Sequence, residues 1–210
     1  MMWKNAMRWL VGCSVAFAFI TTAGLALAEN EGAKGGMPEM DEETKAMMAE
    51  MEKYAAPGPE HKVLGSMVGK WNTVSKAWMG PGEPMVSEGT AEGELIMGGR
   101  FLVFRSHGTM MGKPFEGMEL LGYDRMTKMY TAIWIDDMGT AIYPMGDGTY
   151  DEASKTLSLK AEWAMPGQEA KIPYRLVTKT VDANKHVFEM ISMRDGKDMK
   201  EMEITYTRVK

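Results

Sequence analysis

From Lys70 onward, apolar and polar residues alternate with a period of two. Leu157, Leu159, Ala161 and Trp163 interleave with Thr156, Ser158, Lys160 and Glu162, and Met202, Ile204 and Tyr206 interleave with Glu201, Glu203, Thr205 and Thr207. Successive side chains of an extended backbone point to opposite faces, so this alternation predicts strands with one buried face. Ten such runs follow one another: 70–79, 85–97, 100–110, 114–124, 129–136, 140–150, 155–164, 170–180, 186–193 and 199–208. Short turns of Gly, Pro and Asp separate them, and no helical period intervenes. Hairpin connections of that kind give an antiparallel meander, and a long meander removes its exposed edges by closing on itself. The expected fold is therefore all-β, an up-and-down antiparallel barrel of about ten strands.

Before the strands the period changes. Asp41 to Tyr54 predicts a helix, with Asp41 as N-cap, acids in the first turn, and Met47, Met51 and Tyr54 at helical spacing. Pro57-Gly58-Pro59 ends it. Pro59 to Val68 then predicts a second short helix, with Pro59 first, Gly69 as its C-terminal cap and His61 on its surface. Residues 29–40, rich in Gly and charge, read as a flexible linker. The layout is thus 1–28, 29–40, 41–69 for the helices and 70–210 for the barrel.

The turns carry a second pattern. Tyr123-Asp124-Arg125-Met126-Thr127-Lys128 and Tyr150-Asp151-Glu152-Ala153-Ser154-Lys155 share Tyr-Asp-x-x-(Ser/Thr)-Lys, and Asp182-Ala183-Asn184-Lys185 is a shorter relative. These join even strands to odd ones and belong at one end of the barrel. The odd-to-even turns contain Gly80 and Gly82, Gly112, Gly139, Gly167 and Gly196, and belong at the other end. The helices lead into the first strand, so they are expected to cover the Asp-type end and leave the Gly-type end open.

Residues 1–28 have the form of a signal peptide: Lys4 and Arg8, an apolar run from Leu10 to Ala23, and the small-x-small site Ala26-Leu27-Ala28. Gly12, Thr21, Thr22 and Gly24 make the segment a poor permanent anchor, and the run before Cys13 is too short for a lipoprotein signal. The expected location is the periplasm or the exterior, with no membrane span after cleavage. Cleavage removes Cys13, the only cysteine, so neither a disulfide nor a thiolate site is expected.

Gly69 and Trp71, just after a short helix, together with the late Arg208, resemble the calycin signature of lipocalins, in which a Gly-x-Trp and an Arg pack at the closed end of a barrel. A closed meander with an even strand count makes the first and last strands antiparallel neighbours, so Trp71 and Arg208 are expected to meet. A longer set of motifs resembles the uncharacterised bacterial family catalogued as domain of unknown function 1579. It includes Pro57-Gly58-Pro59-Glu60-His61, Gly98-Gly99-Arg100-Phe101, Pro114-Phe115-Glu116-Gly117, Gly122-Tyr123-Asp124, Trp134-Ile135-Asp136-Asp137-Met138-Gly139-Thr140, Gly148-Thr149-Tyr150-Asp151 and Met202-Glu203-Ile204-Thr205-Tyr206. The resemblance spans roughly Met40 to Lys210 and implies a calycin-like barrel without assigning it an activity.

Composition narrows function mainly by exclusion. The net charge of −5 gives no general attraction for nucleic acid. Among recognisable catalytic patterns, neither Gly-x-Ser-x-Gly nor His-Glu-x-x-His occurs, and the chain has only 3 His. A non-enzymatic binding role is the reading that remains, with no cofactor or metal. Polar residues that share strand parity with apolar ones are candidates for orienting a ligand: Glu116, with Met118 and Leu120; Asp136, with Trp134; Arg105, with Phe101 and Val103; and His186, with Phe188 and Met190. Each has a structural alternative, such as Asp136 bonding the turn at Asp137-Met138-Gly139. On strand two, Ser87, Gly89, Ala91 and Gly93 share one face, and on strand one Thr73, Ser75 and Ala77 share the face of Trp71. Small inward side chains leave room, which favours a small apolar or amphipathic molecule held inside the barrel. Three alternatives are a nitrobindin-like haem barrel with His186 or His107 as axial ligand, an enzyme using Glu116 or Asp136 as acid or base, and a barrel that binds protein partners rather than small molecules.

Methionine is over-represented, with 24 in the chain. Thioethers suit Cu(I), but Met-x-Met does not occur, and Met-x-x-Met on a strand sends the two sulfurs to opposite faces. Met79, Met85, Met110, Met111, Met138, Met165, Met193 and Met199 instead flank the Gly-type turns. Met110, Met111, Met138 and Met165 are expected to surround a pocket mouth.

Overall fold

The computed structural model describes residues 40–164, 167 and 169–210. The expected leader, the linker up to residue 39, and Met165 lie outside them. The ten period-two runs form ten strands: β1 (Gly69–Ala77), β2 (Met85–Ile96), β3 (Phe101–Met110), β4 (Lys113–Asp124), β5 (Met129–Asp136), β6 (Tyr143–Asp151), β7 (Thr156–Ala164), β8 (Lys171–Asp182), β9 (Lys185–Arg194) and β10 (Lys197–Arg208). Each pairs antiparallel with its sequence neighbours, and β1 pairs with β10, so the sheet is a closed up-and-down barrel.

Turn chemistry sets the register. The β3–β4 and β9–β10 turns place two consecutive residues in the left-handed region, Met111 and Gly112 in one and Asp195 and Gly196 in the other. That is the two-residue hairpin whose twist matches the flanking strands. At the opposite end the Asp-type turns are built by their side chains. Asp124 accepts from Met126 N and Thr127 Oγ1, both at 2.8 Å, and Asp151 accepts from Ser154 N and Ser154 Oγ, both at 2.7 Å. Lys128 and Lys155 then take positive φ, closing each turn.

Before the barrel, α1 (Glu42–Ala55) starts at Asp41, whose Oδ1 accepts from Thr44 N at 2.7 Å. The expected apolar stripe does not pack: no residue of α1 is buried, and Met47, Met51 and Tyr54 are exposed. The helix is tied instead through its last carbonyls, to Arg100 Nε from Ala55 O at 2.7 Å and to Arg125 Nη1 from Ala56 O at 3.1 Å. The second helix is shorter than its pattern, a 3-10 turn at Pro59–His61 followed by α2 (Lys62–Ser66). His61 is buried, not a surface residue, because its Nδ1 accepts from Gly58 N at 3.0 Å and its ring meets the Tyr123 edge. Among the described residues, no helix is long and apolar enough to cross a membrane.

Candidate functional site

The barrel has a closed end and an open one. Leu64 of α2 and Met67 just beyond it enter the same core cluster as Trp71, Leu102, Leu121 and Tyr130. Tyr130 Oη donates to Glu60 O at 2.9 Å, so the helical segment sits across the end that carries the Asp-type turns. Two glycines permit this approach. A Cβ on Gly93 would lie 2.2 Å from Met67 O, and one on Gly69, whose φ is +113°, would lie 2.5 Å from Arg208 Nη1. Trp71 Nε1 donates to Met67 O at 3.0 Å. Arg208 lies over the indole and donates to Val68 O, Ser66 O and Ala183 O.

Above this floor lies a cavity of about 1020 Å³, at the upper end of the range for small-molecule sites. Thr73, Ser75, Ala77, Ser87 and Gly89 form its thin wall on β1 and β2. The expected small-residue face divides between two tasks: Ser87 and Gly89 leave room in the cavity, whereas Ala91 enters the core and Gly93 accommodates the end of α2. Phe104, Phe115, Trp134, Tyr174, Phe188 and Tyr206 supply aromatic surface on the other sides. Met85, Met111 and Met138 line the cavity and are also exposed, so it reaches solvent at the Gly-type end. Met110 lines it as well, whereas Met79, Met193 and Met199 do not.

The residues expected to orient a ligand fall on different sides of the wall. Trp134, Asp136 and His186 line the cavity; Arg105 and Glu116 do not. Both of the latter are exposed on the outer face, because the register places Ser106 opposite Gly117 and Phe104 opposite Glu119 on the inner one. The inward carboxylate of β4 is Glu119, which is not among the residues expected to orient a ligand. Arg105 and Glu116 share parity with Val103, Met118 and Leu120, an apolar row on the outside of the barrel.

The inner polar groups are largely committed. Asp136 Oδ2 accepts from Trp134 Nε1 at 2.7 Å, and its Oδ1 accepts from Met138 N at 3.1 Å. Glu201 is paired with Arg194 at 2.9 Å. His186 uses both ring nitrogens, Nδ1 with Thr180 Oγ1 at 3.1 Å and Nε2 with Ser66 O at 3.2 Å, and its ring meets the Trp71 edge. Burial, partly offset by the Ser66 carbonyl, holds its pKa below the usual histidine value. His107 borders the cavity as well, and is exposed in β3. His186 thus has both ring nitrogens engaged, whereas no described residue hydrogen-bonds to the His107 ring.

Glu119 differs from all of these. It lines the cavity, and no described residue hydrogen-bonds or ion-pairs with its carboxylate. Desolvation pushes its pKa up to about 7. Tyr206 is close enough that the Glu119 charge raises its pKa further, beyond the larger effect of burial.

A closed ten-stranded antiparallel barrel, plugged at one end by a short helix and hollow toward the other, defines a calycin-like barrel with an internal cavity. The family model described as "Protein of unknown function (DUF1579)" matches residues 56–208, and the chain belongs to that family. Among solved structures, the crystal structure of Rv2717c from M. tuberculosis is similar at 12% identity with a TM-score of 0.55, over 74% of this chain and 100% of that one. At that identity the likeness is one of fold. No curated protein matched the chain.

Proposed function

We propose that the protein is an exported binding protein that takes a small apolar or amphipathic molecule into its barrel. The observation that carries this reading is the cavity of about 1020 Å³, walled by small residues on β1 and β2 and by aromatic rings elsewhere. A well-packed interior leaves no such volume. Export rests on Lys4, Arg8, the apolar run after them and Ala26-Leu27-Ala28. The alternative of an enzyme using Glu116 or Asp136 as acid or base is less favoured, because Glu116 is exposed outside the cavity and Asp136 is committed to two hydrogen bonds.

Native mass spectrometry of the protein purified from its own host, combined with uptake of the neutral fluorophore N-phenyl-1-naphthylamine, tests the reading. A mass excess lost on solvent extraction, or saturable uptake that Ser75→Phe reduces by filling the cavity, supports it. A bare polypeptide mass together with no saturable uptake overturns it.

A further inference from the structure

We infer that the cavity selects a ligand with a cationic alkylammonium head, seated on the Glu119 carboxylate between aromatic rings, over an anionic amphiphile of the same length. The inference rests on the binding role proposed above and specifies the chemistry of its ligand.

Three observations carry it. First, among the described residues no lysine or arginine lines the cavity. Outside the lining, Arg194 pairs through Nη2 with Glu201 while its Nε is buried without a hydrogen-bond partner among the described residues, and Arg208 is held by three backbone carbonyls and the Trp71 face. An anionic head entering the barrel would find no cation to meet it. Second, of the inward carboxylates, Asp136 and Glu201 have partners and Glu119 has none. A half-buried carboxylate that faces a largely apolar cavity without a partner is poorly solvated when ionised, so a ligand that supplies the missing positive charge gains what the empty protein forgoes. Third, the register flanks Glu119 with aromatic residues, Phe104 on β3 and Trp134 on β5. Phe104 packs edge-on against Tyr206, with ring centroids 5.5 Å apart. The Trp134 indole is fixed by its bond to Asp136 and lies across Gly117, where a Cβ would come within 2.3 Å of Cζ2. Aromatic faces beside a carboxylate are the surroundings that bind quaternary ammonium groups, through the negative potential of the ring faces.

The dodecyl series tests head-group choice at constant chain length. Dodecyltrimethylammonium and dodecanoate, below their micelle concentrations, and 1-dodecanol, below its solubility limit, are titrated at pH 8, where Glu119 is mostly ionised, by displacement of N-phenyl-1-naphthylamine. The expected result is affinity at least about tenfold higher for the ammonium than for dodecanoate, with dodecanol between them. Glu119→Gln should cut the ammonium-to-dodecanoate ratio at least about fivefold, with a smaller change for dodecanol. Trp134→Leu should weaken the ammonium more than dodecanol, which provides a second reading independent of the charge. If dodecanoate binds as well as the ammonium, or the ratio survives both substitutions, the inference falls and the binding role stands. If none of the three displaces the fluorophore and the protein takes up no fluorophore, the binding role itself falls, and the inference with it.

Discussion

The Arg208 guanidinium lies 4.0 Å from the centroid of the Trp71 ring, and the two residues are register partners across the β1–β10 seam. The contact sits at the start of the ladder that closes the barrel, where the first strand pairs with the last from Trp71–Arg208 to Ala77–Met202. The same guanidinium donates to Ser66 O and Val68 O, so it also fixes the end of α2 over the floor. A planar fork with several fixed donors suits this task; a lysine ammonium cannot reproduce it.

Arg208→Lys is therefore expected to cost about 2 kcal/mol, and Trp71→Ala about 3–5 kcal/mol as a fully buried aromatic. Urea denaturation followed by tryptophan emission measures both. A loss below about 0.5 kcal/mol for Arg208→Lys would mean that the seam is held elsewhere.

His186→Ala should behave as a stability variant rather than a binding one. Its two hydrogen bonds link β8 to the end of α2, and its ring supports Trp71. A loss of about 2 kcal/mol is expected, with ligand affinity little changed at temperatures where the variant stays folded. A variant of full stability that no longer binds ligand would place His186 in the site instead.

The strand pattern was legible because alternation and turn chemistry are local. Asp124 and Asp151 build their turns from side chains within three residues, and Met111-Gly112 fixes a hairpin by φ alone. Which face of β3 and β4 points inward was not legible, because both faces carry apolar residues: Leu102, Phe104 and Leu121 inside; Phe101, Val103, Met118 and Leu120 outside. Parity with an apolar neighbour thus selected Arg105 and Glu116, which face solvent. The two-residue turn at Met111-Gly112 held the missing information. Counting back from it sets Ser106 against Gly117 and Phe104 against Glu119, continuing the small row from Ala91. His186 had the right parity, but its partner Ser66 lies 120 residues away, and no local pattern reports such a contact.

The Glu119 carboxylate should impose a pH dependence on stability. Its pKa is about 7 when folded against an ordinary value of 4.5. The folded state thus binds the extra proton between these values, and its stability falls as pH rises from 4.5 through 7. The groups facing it are Phe104, Trp134 and Tyr206, none of which is charged near neutrality. Glu119→Gln should remove the slope and make the protein more stable at pH 8 by up to about 3 kcal/mol. His186 acts in the opposite direction, favouring the folded state above the ordinary histidine value of 6.5. The difference between variant and parent, taken by urea denaturation at pH 5 and pH 8, isolates Glu119. An equal difference at both values would show that Glu119 is not held protonated.

Amide exchange should be fastest along β6. Its pairing with β5 is irregular between Tyr130 and Ala132, and its pairing with β7 is irregular between Gly146 and Thr149. By contrast, β1–β2 and β3–β4 run in unbroken register. Fewer regular ladder bonds mean lower-energy local opening. Hydrogen exchange read by mass spectrometry should show peptides from 143–151 exchanging well before those from 101–110, and the reverse order would refute the assignment.

Methionine oxidation should act on binding through its position at the mouth. Met111 and Met138 are exposed and line the cavity, Met85 does both as well, and Met126 is equally open to oxidant at the opposite end. A thioether rim is apolar and deformable, which suits passage of an apolar chain; sulfoxide makes the same atoms polar and raises the cost of that passage. Mild hydrogen peroxide should therefore weaken uptake of N-phenyl-1-naphthylamine several-fold without unfolding the barrel. Replacing Met85, Met111 and Met138 together by Leu should preserve uptake and make it resistant to peroxide, whereas Met126→Leu should leave the sensitivity unchanged. Peptide mapping identifies which sulfurs have reacted. Met165, outside the described residues but expected at the same rim, is read in that map alongside the others. If the triple variant remains as sensitive as the parent, or if the parent binds normally with all three rim sulfurs oxidised, the rim has no part in ligand entry.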